Sequence, residues 1–595
     1  MSLPLLLTLA LCQQPTAETR GPGAPSAAPE LILHSGRIAT LARGEGFVEA
    51  LAIRDGRVHT VGSDAEVRAL AGEGTRSIDL DGRTVIPGLN DSHLHAVRGG
   101  RFYNLELRWD GVPSLARGLE LIREQAQRTP PGQWVRVIGG FSPYQFAERR
   151  LPTIAELNAA SPDRPVFVLF LYSQGLINAA GVQALGLGPD SVPPPGGQYR
   201  FVDGGAELLA VPHPGILYGT VGKLPSLSAE DQLNSSLHFF RELNRFGLTS
   251  AVDAGGGGHA FPDDYGAAAR LASQGQIPLR LSLYLFAQKE GRELADLEAW
   301  TREQELGQSL ALDLPSGYEI DGAGENLVWA AGDFENFLAP RPELERRMDQ
   351  SLSAVVGLLV RERWPFRIHA TYGESIERLL GLFEAVDAEQ AFDGLPWWID
   401  HAETIRPAQI QRVQRLGGGI AIQDRMAFAG EFFLERYGPE LAAEAPPLRR
   451  LLDSGIPLGA GTDATRVSSH NPWLCLHWLV TGETLGGTVL AAEHNRLSRL
   501  EALELYTRGS ARVAGEERHK GALIPGFYGD LAVLDRDYFA CPSADIRRIE
   551  SLLTVVGGRI VYAAGPYAEL CPELPPVSPA WSPVAHYGGY QRSEP

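Results

Sequence analysis

The chain has 595 residues and a formal net charge of -19, a length that calls for more than one small core and a charge that excludes a nucleic-acid partner, because a phosphate backbone needs a Lys/Arg surface. With 44% hydrophobic and 21% charged residues, its composition is that of an ordinary globular protein. The four cysteines, Cys12, Cys475, Cys541 and Cys571, show no C-x-x-C spacing, which argues against a thiolate metal site or a disulfide framework and leaves nitrogen and oxygen as the donors for any metal.

Residues 1-29 open with a compact apolar run, MSLPLLLTLALC, followed by a Gly/Pro/Ala-rich spacer. The run is too short to span a bilayer and has the character of an export leader, so the expected localisation is export or lipid anchoring through the N-terminus, the only expected membrane contact, with a cytoplasmic start as the alternative. Short β-like runs from Leu31 to Asp79 (LILHSGRIAT, FVEALAIRDGRVHTVG, TRSIDL) predict a small sheet with a hairpin turn at Asp55-Gly56. The pattern returns in DLAVLD and SLLTVVGGRIVYAAG, so the segments 30-84 and 516-565 are expected to pair into one small β-sandwich. Residues 566-595, rich in Pro, Tyr and Ser, have the composition of an extended tail.

Between these ends, within 85-515, apolar runs alternate with helical stretches: VIPGLND, LTSAVDA, LRLSLYLF, a weak run near Tyr318, PFRIHA, WWIDHAE, GIAIQD and IPLGAGTDA. They number about eight, which a (β/α)8 barrel requires, so the expected fold class is α/β. The stretch from about 99 to 245 is too long for one βα unit and predicts a subdomain inserted after the first barrel strand, placed as a wall or lid over the barrel mouth.

The barrel prediction directs attention to polar residues that end the apolar runs, since such barrels carry their sites there. In PGLNDSHLHA, His93 and His95 are separated by one residue, so on an extended strand their imidazoles point the same way and can grip one ion. His369 ends PFRIHA, His401 follows WWID, and Asp463 ends IPLGAGTDA. Neutral nitrogens with one anionic oxygen suit Zn2+ or a similar divalent ion, one or two in number. Such an ion acidifies water, and Asp463 can take the released proton.

PGLNDSHLHA, RIHA, IDHAE, GAGTDA, SRLEALELYTRGSARVAG and GALIPGFYGDLAVLD together resemble the amidohydrolase superfamily, from about Leu31 to Gly565. The large insertion, FGLTSAVDAG after it, and PLRRLLDSGIPLGAGTDA are similar to the amidohydrolase 3 branch, which includes N-substituted formamide deformylase. The resemblance implies metal ligands at His93, His95, His369 and His401, with Asp463 as the catalytic aspartate and His401 as a second catalytic group. It departs from the family at the fourth strand, where SGYEIDGAGEN lacks the lysine that bridges two metals in many members; Glu319 is the candidate substitute. Ser173 stands where the branch has a histidine, although Asn178 is kept as a substrate contact, and Glu374 follows His369 as a candidate proton shuttle or substrate-binding group. Arg425, His470 and Trp473 stand among the strand-end residues expected to set specificity, and Trp397, Trp398 and Phe428 are candidates for core or pocket.

These features predict a metal-dependent hydrolase of a non-peptide carbon-nitrogen bond in a small molecule. Two readings compete with it: a one-metal deaminase of a ring amidine, for which the absent lysine and Glu374 speak, and a ligand-binding barrel without catalysis. An oligomer is compatible with each.

Overall fold

In the computed structural model, residues 28-590 are described except 43-45, 212, 335-336, 339-340 and 342. The expected leader lies outside the described residues, and no helix among them is long and apolar enough to cross a membrane.

Eight parallel strands form the central sheet: β1 (Leu89–Leu94), β2 (Leu248–Asp253), β3 (Arg280–Leu285), β4 (Tyr318–Ala323), β5 (Phe366–Ala370), β6 (Trp397–His401), β7 (Gly419–Gln423) and β8 (Leu458–Gly461), paired in that order. All except β4 are buried along their whole length, as strands covered on both faces must be. The sheet closes on itself just beyond the strand ends, where the Asp463 N–H donates to the His93 carbonyl (2.7 Å) and the His95 N–H donates to the Ala464 carbonyl (3.0 Å). Buried Asp91 holds this seam by accepting from the backbone N–H of His93 (2.9 Å) and the hydroxyl of Thr462 (2.8 Å).

The first predicted barrel run divides between two sheets. Thr84–Pro87 pairs with Leu531–Leu534 and Arg37–Ala39 in a six-stranded terminal sheet, and the barrel begins only at Leu89. The chain changes sheet at Gly88, where any Cβ would come within 2.1 Å of the Thr249 hydroxyl. A second terminal sheet of four strands, Arg57–Gly62, Ala50–Arg54, Leu31–His34 and Arg76–Asp79, packs on the first through Leu33, Leu51, Ile53, Val85, Leu531 and Val555.

The insertion builds its own five-stranded sheet, in the order Gly197–Val202, Gly205–Ala210, Gln174–Ile177, Val166–Phe170, Val135–Ile138. It ends in the helix Ala229–Arg245, amphipathic and capped by Ser228, which feeds β2. The C-terminal stretch is not a loose tail as far as Tyr590. The Ser578 hydroxyl donates to Asp231 (2.6 Å), the Trp581 carbonyl accepts from Gln125 (2.8 Å), and the Tyr587 hydroxyl donates to Glu124 (3.0 Å), so the segment straps two helices of the insertion together.

Arg280 at the start of β3 joins the barrel to the terminal sheets. Its guanidinium makes a buried two-bond contact with Asp530 (2.7 and 3.0 Å), whose carboxylate also accepts from the Gly557 N–H. Removing one partner of a buried pair strands the other charge. Arg280→Met is therefore expected to lose about 3–5 kcal/mol in urea unfolding, and the double variant with Asp530→Leu to recover most of that loss; equal losses in both would assign the contact no pairwise role.

Candidate metal centre

At the C-terminal mouth of the barrel, four histidines and two carboxylates converge, all buried. His93 and His95 come from the end of β1 and the residue after it, His369 from β5, His401 from the last position of β6, and Asp463 from two residues beyond β8. The second carboxylate is Glu325, two residues beyond β4. Its Oε2 lies 3.4 Å from His93 Nε2, 3.2 Å from His369 Nδ1 and 3.3 Å from His401 Nε2, while Oε1 lies 3.4 Å from His95 Nε2. Asp463 Oδ1 faces His95 Nε2 at 2.9 Å and His93 Nε2 at 3.5 Å. Two ligand sets result, one of His93, His95 and Asp463 and one of His93, Glu325 and His401.

The imidazoles are aimed from behind. His95 Nδ1 lies 2.7 Å from the Gly255 carbonyl, an acceptor only, so Nδ1 carries the proton and the Nε2 lone pair turns toward Asp463 and Glu325. Asp333 performs the same task for His369: its carboxylate stands 3.2 Å from Nε2 and accepts from the backbone N–H groups of Thr371 and Tyr372, leaving Nδ1 toward Glu325. Behind His93 is Asp400, 3.2 Å from Nδ1, itself gripped by the buried guanidinium of Arg367. His401 and Asp463 hold backbone with φ of 78° and 57°, left-handed values that cost a non-glycine residue and are kept here where the strand ends turn side chains inward.

The electrostatics fit a cation among these groups. Burial opposes a charge on His93, yet Asp400, Glu325 and Asp463 outweigh it and pull its pKa up to about 10, so the pocket favours positive charge where the ring stands. Burial would likewise raise Glu325, but His93, His369 and His401 hold it well below the usual carboxylate range. Asp463 is held low against its burial by Arg425 and His93, with an Arg425 guanidinium N–H donating to Oδ2. His401 is pushed down to about 4 by burial and by Arg425, which keeps its lone pair free. The buried Nε2 of His93 has no hydrogen-bond partner. Ionised carboxylates, the neutral imidazole of His401 and the orphaned nitrogen of His93, whose positive charge an ion would replace, make a donor set for a divalent ion such as zinc.

Three sequence expectations need correction. Glu319 lies at the N-terminal start of β4, beside Asp321, Glu516 and Lys520, and burial next to Asp321 lifts it to about 7. It is at the wrong end of its strand, and the carboxylate that the end of β4 sends to the four histidines is Glu325. Asn178 is a structural cap: its side-chain oxygen accepts from the N–H of Gly181 (3.0 Å) at a helix start and from Val166, and its amide donates to Ser161 and Arg164. Glu374 is on the surface, paired with Arg406. Of the residues expected at strand ends, Arg425 reaches the site, while His470 packs against Phe239 and Phe246, and the Trp473 indole donates to the Phe246 carbonyl. Trp397, Trp398 and Phe428 are core.

The pocket above the centre is walled by Arg98, Tyr172, Tyr218, Phe286, Trp329 and Phe334. Two of these, Tyr172 and Tyr218, come from the insertion, which thereby closes one side of the barrel mouth. Tyr172 directly precedes Ser173, the position at which the sequence departs from its branch.

Comparison with known proteins places this arrangement among relatives. A family model described as "Amidohydrolase family" matches residues 76–562. The chain is 26% identical over 557 residues to N-substituted formamide deformylase of Arthrobacter pascens, covering 90% of this chain and 98% of that protein. In fold it is similar to an uncharacterized metal-dependent hydrolase from Pyrococcus furiosus (TM-score 0.61, 23% identity, 86% of this chain and 99% of the other). It also resembles atrazine chlorohydrolase TrzN from Arthrobacter aurescens TC1, solved with zinc (TM-score 0.50, 16% identity, 90% of this chain and 95% of the other).

Partners that orient metal-binding histidines are worth about 10–100-fold in metal affinity. Asp333→Asn is accordingly expected to weaken divalent-metal binding by about that factor in titration against a competing chelator, whereas Glu319→Gln should match the unsubstituted protein. Loss of metal in the Glu319 variant, with none in the Asp333 variant, would overturn this placement of ligands.

Proposed function

Because the chain belongs to the amidohydrolase family, we propose that it hydrolyses an amide-like, non-peptide carbon-nitrogen bond of a small molecule at a divalent-metal centre held by His93, His95, Glu325, His369, His401 and Asp463. The observation that carries this reading is the single carboxylate of Glu325 meeting all four histidines, with one oxygen toward His95 and the other toward His93, His369 and His401. Were two ions bound, Glu325 is the carboxylate that would be placed to hold both in place of the missing lysine.

When bound, the metal supplies Lewis acidity, polarising the carbonyl and making water nucleophilic near neutral pH. Asp463 is the group suited to move the proton. Its Oδ1 faces His95 and its Oδ2 is held by Arg425, so the carboxylate is anchored at the rim where water and amide meet. It takes a proton from water as the oxygen adds to the carbonyl carbon and returns it to the nitrogen as the carbon-nitrogen bond breaks, giving a carboxylic acid and an amine. His401, kept neutral, serves as a ligand, and the aromatic walls Phe286, Trp329 and Phe334 exclude bulk water and take an apolar substrate body.

Deamination of a ring amidine loses one of its two supports, since Glu374 faces solvent beside Arg406. A barrel without catalysis is disfavoured by a complete donor set.

The test is release of formate or amine from a panel of N-substituted formamides and acetamides by metal-loaded protein. Asp463→Asn is expected to lower kcat by about 10²–10⁴-fold with the fold and most bound metal retained. Undiminished turnover in that variant would remove Asp463 from the reaction, and no amide turnover at full metal loading would refute the assignment.

A further inference from the structure

Two buried arginines near the barrel mouth have no carboxylate at ion-pair distance. Arg98 and Arg466 are 3% and 4% exposed. Burying an ionised group is costly unless it is paired, and Arg108, Arg280, Arg367 and Arg425, buried to a similar degree, each face a carboxylate. Among the described residues, neither Arg98 nor Arg466 has one at ion-pair distance; Asp463 and Glu325 act on Arg98, and Glu106 on Arg466, only from farther off. Arg98 donates from one terminal nitrogen to the Gly257 carbonyl (3.2 Å), and its buried Nε has no partner. Arg466 lies with its guanidinium carbon 5.7 Å from the centre of the Tyr218 ring. Burial and the nearby Arg98 charge both weaken its hold on its proton, which means that the two cations oppose each other.

Their position in the chain ties them to the metal centre. Arg98 follows His95 by three residues and Arg466 follows Asp463 by three, each just beyond one of the two strands whose ends close the barrel. Arg98 lines the same pocket as His95, Glu325, His369 and Asp463. Beside it stand Tyr172 and Tyr218, with ring centres 4.9 Å apart. Burial and the neighbouring Tyr172 hold the Tyr218 hydroxyl well above its ordinary range, so it is a neutral hydrogen-bond donor and not the missing anion.

We propose that Arg98 and Arg466, with the hydroxyls of Tyr172 and Tyr218, form a subsite for a carboxylate on the substrate, which makes the preferred substrate an N-acyl compound that carries an acid group near the scissile amide. The proposal rests on the amide-hydrolase reading above. A planar carboxylate matches the forked donors of guanidinium, and Phe286, Trp329 and Phe334 stand on the wall of the same pocket as Arg98.

N-formylphenylalanine and N-formylphenethylamine differ only by the carboxylate. The metal-loaded enzyme is expected to favour the first in kcat/KM by about 10–100-fold, the range of a charge-assisted hydrogen bond, mostly through KM. That ratio should collapse toward unity in Arg98→Gln and, separately, in Arg466→Gln. Equal use of both formamides by the unsubstituted enzyme, or a ratio unmoved in both variants, would overturn the subsite and leave amide hydrolysis standing. If neither formamide is cleaved, the hydrolysis reading fails for this class, and 3-phenylpropionate, which has no amide, then decides the subsite: a rise in Tm of the unsubstituted protein that both variants lack supports it, and no rise overturns it.

Discussion

Glu325 places one buried carboxylate within reach of four imidazoles, and much of the barrel mouth is arranged to keep that charge ionised and those rings aimed at it. A bare carboxylate at this depth would be driven to its neutral form by loss of hydration. Here each ring has a second anchor behind it or an environment that fixes its charge: Gly255 for His95, Asp333 for His369, Asp400 with Arg367 for His93, and Arg425 beside His401. The centre is a layered balance, anion at the middle, imidazoles around it and alternating charge outside, and a divalent ion fits the innermost layer by supplying the positive charge that His93 is otherwise pulled to carry.

The parts of the chain that are not barrel serve that arrangement. Strand ends supply ligands but make an open rim, and the insertion supplies Tyr172 and Tyr218 to one wall of the pocket. Long excursions of chain need anchoring, and here the C-terminal strap crosses the insertion's helices while Arg280 and Asp530 bind the barrel to the terminal sheets. The molecule thus carries its clustered histidines and carboxylates at the strand ends and part of the pocket wall on the insertion, a division that allows the second to vary while the first is held.

Where sequence reasoning succeeded, a local rule was enough. His93, His95, His369, His401 and Asp463 each end an apolar run, and strand periodicity with the rule that barrels work at their C-terminal ends brings them together without knowledge of any contact. Glu325 was missed, and Glu319 chosen in its place, by the same logic applied to a strand whose limits were indistinct. The β4 strand is irregular, with a break in register against β3 and a single aligned pair with β5, so its end was not visible as a run of apolar residues. Counting from Tyr318 to the expected strand end would have pointed past Ala323 to Glu325. Asn178 and Glu374 failed differently: a resemblance preserves the letter at a position, but hydrogen bonds inside the insertion or exposure to solvent decide what the side chain touches.

By itself, the sequence determined the α/β barrel, the terminal sheets and five of the six groups at the centre, because these depend on periodicity and on spacing within single strands. Only the tertiary structure decided that Glu325 is the sixth, that the chain changes sheet at Gly88, and that Arg98 and Arg466 come together beside Tyr218. Those outcomes depend on where separate strand ends stand in space and on which buried charges face each other, quantities set by closure of the whole barrel.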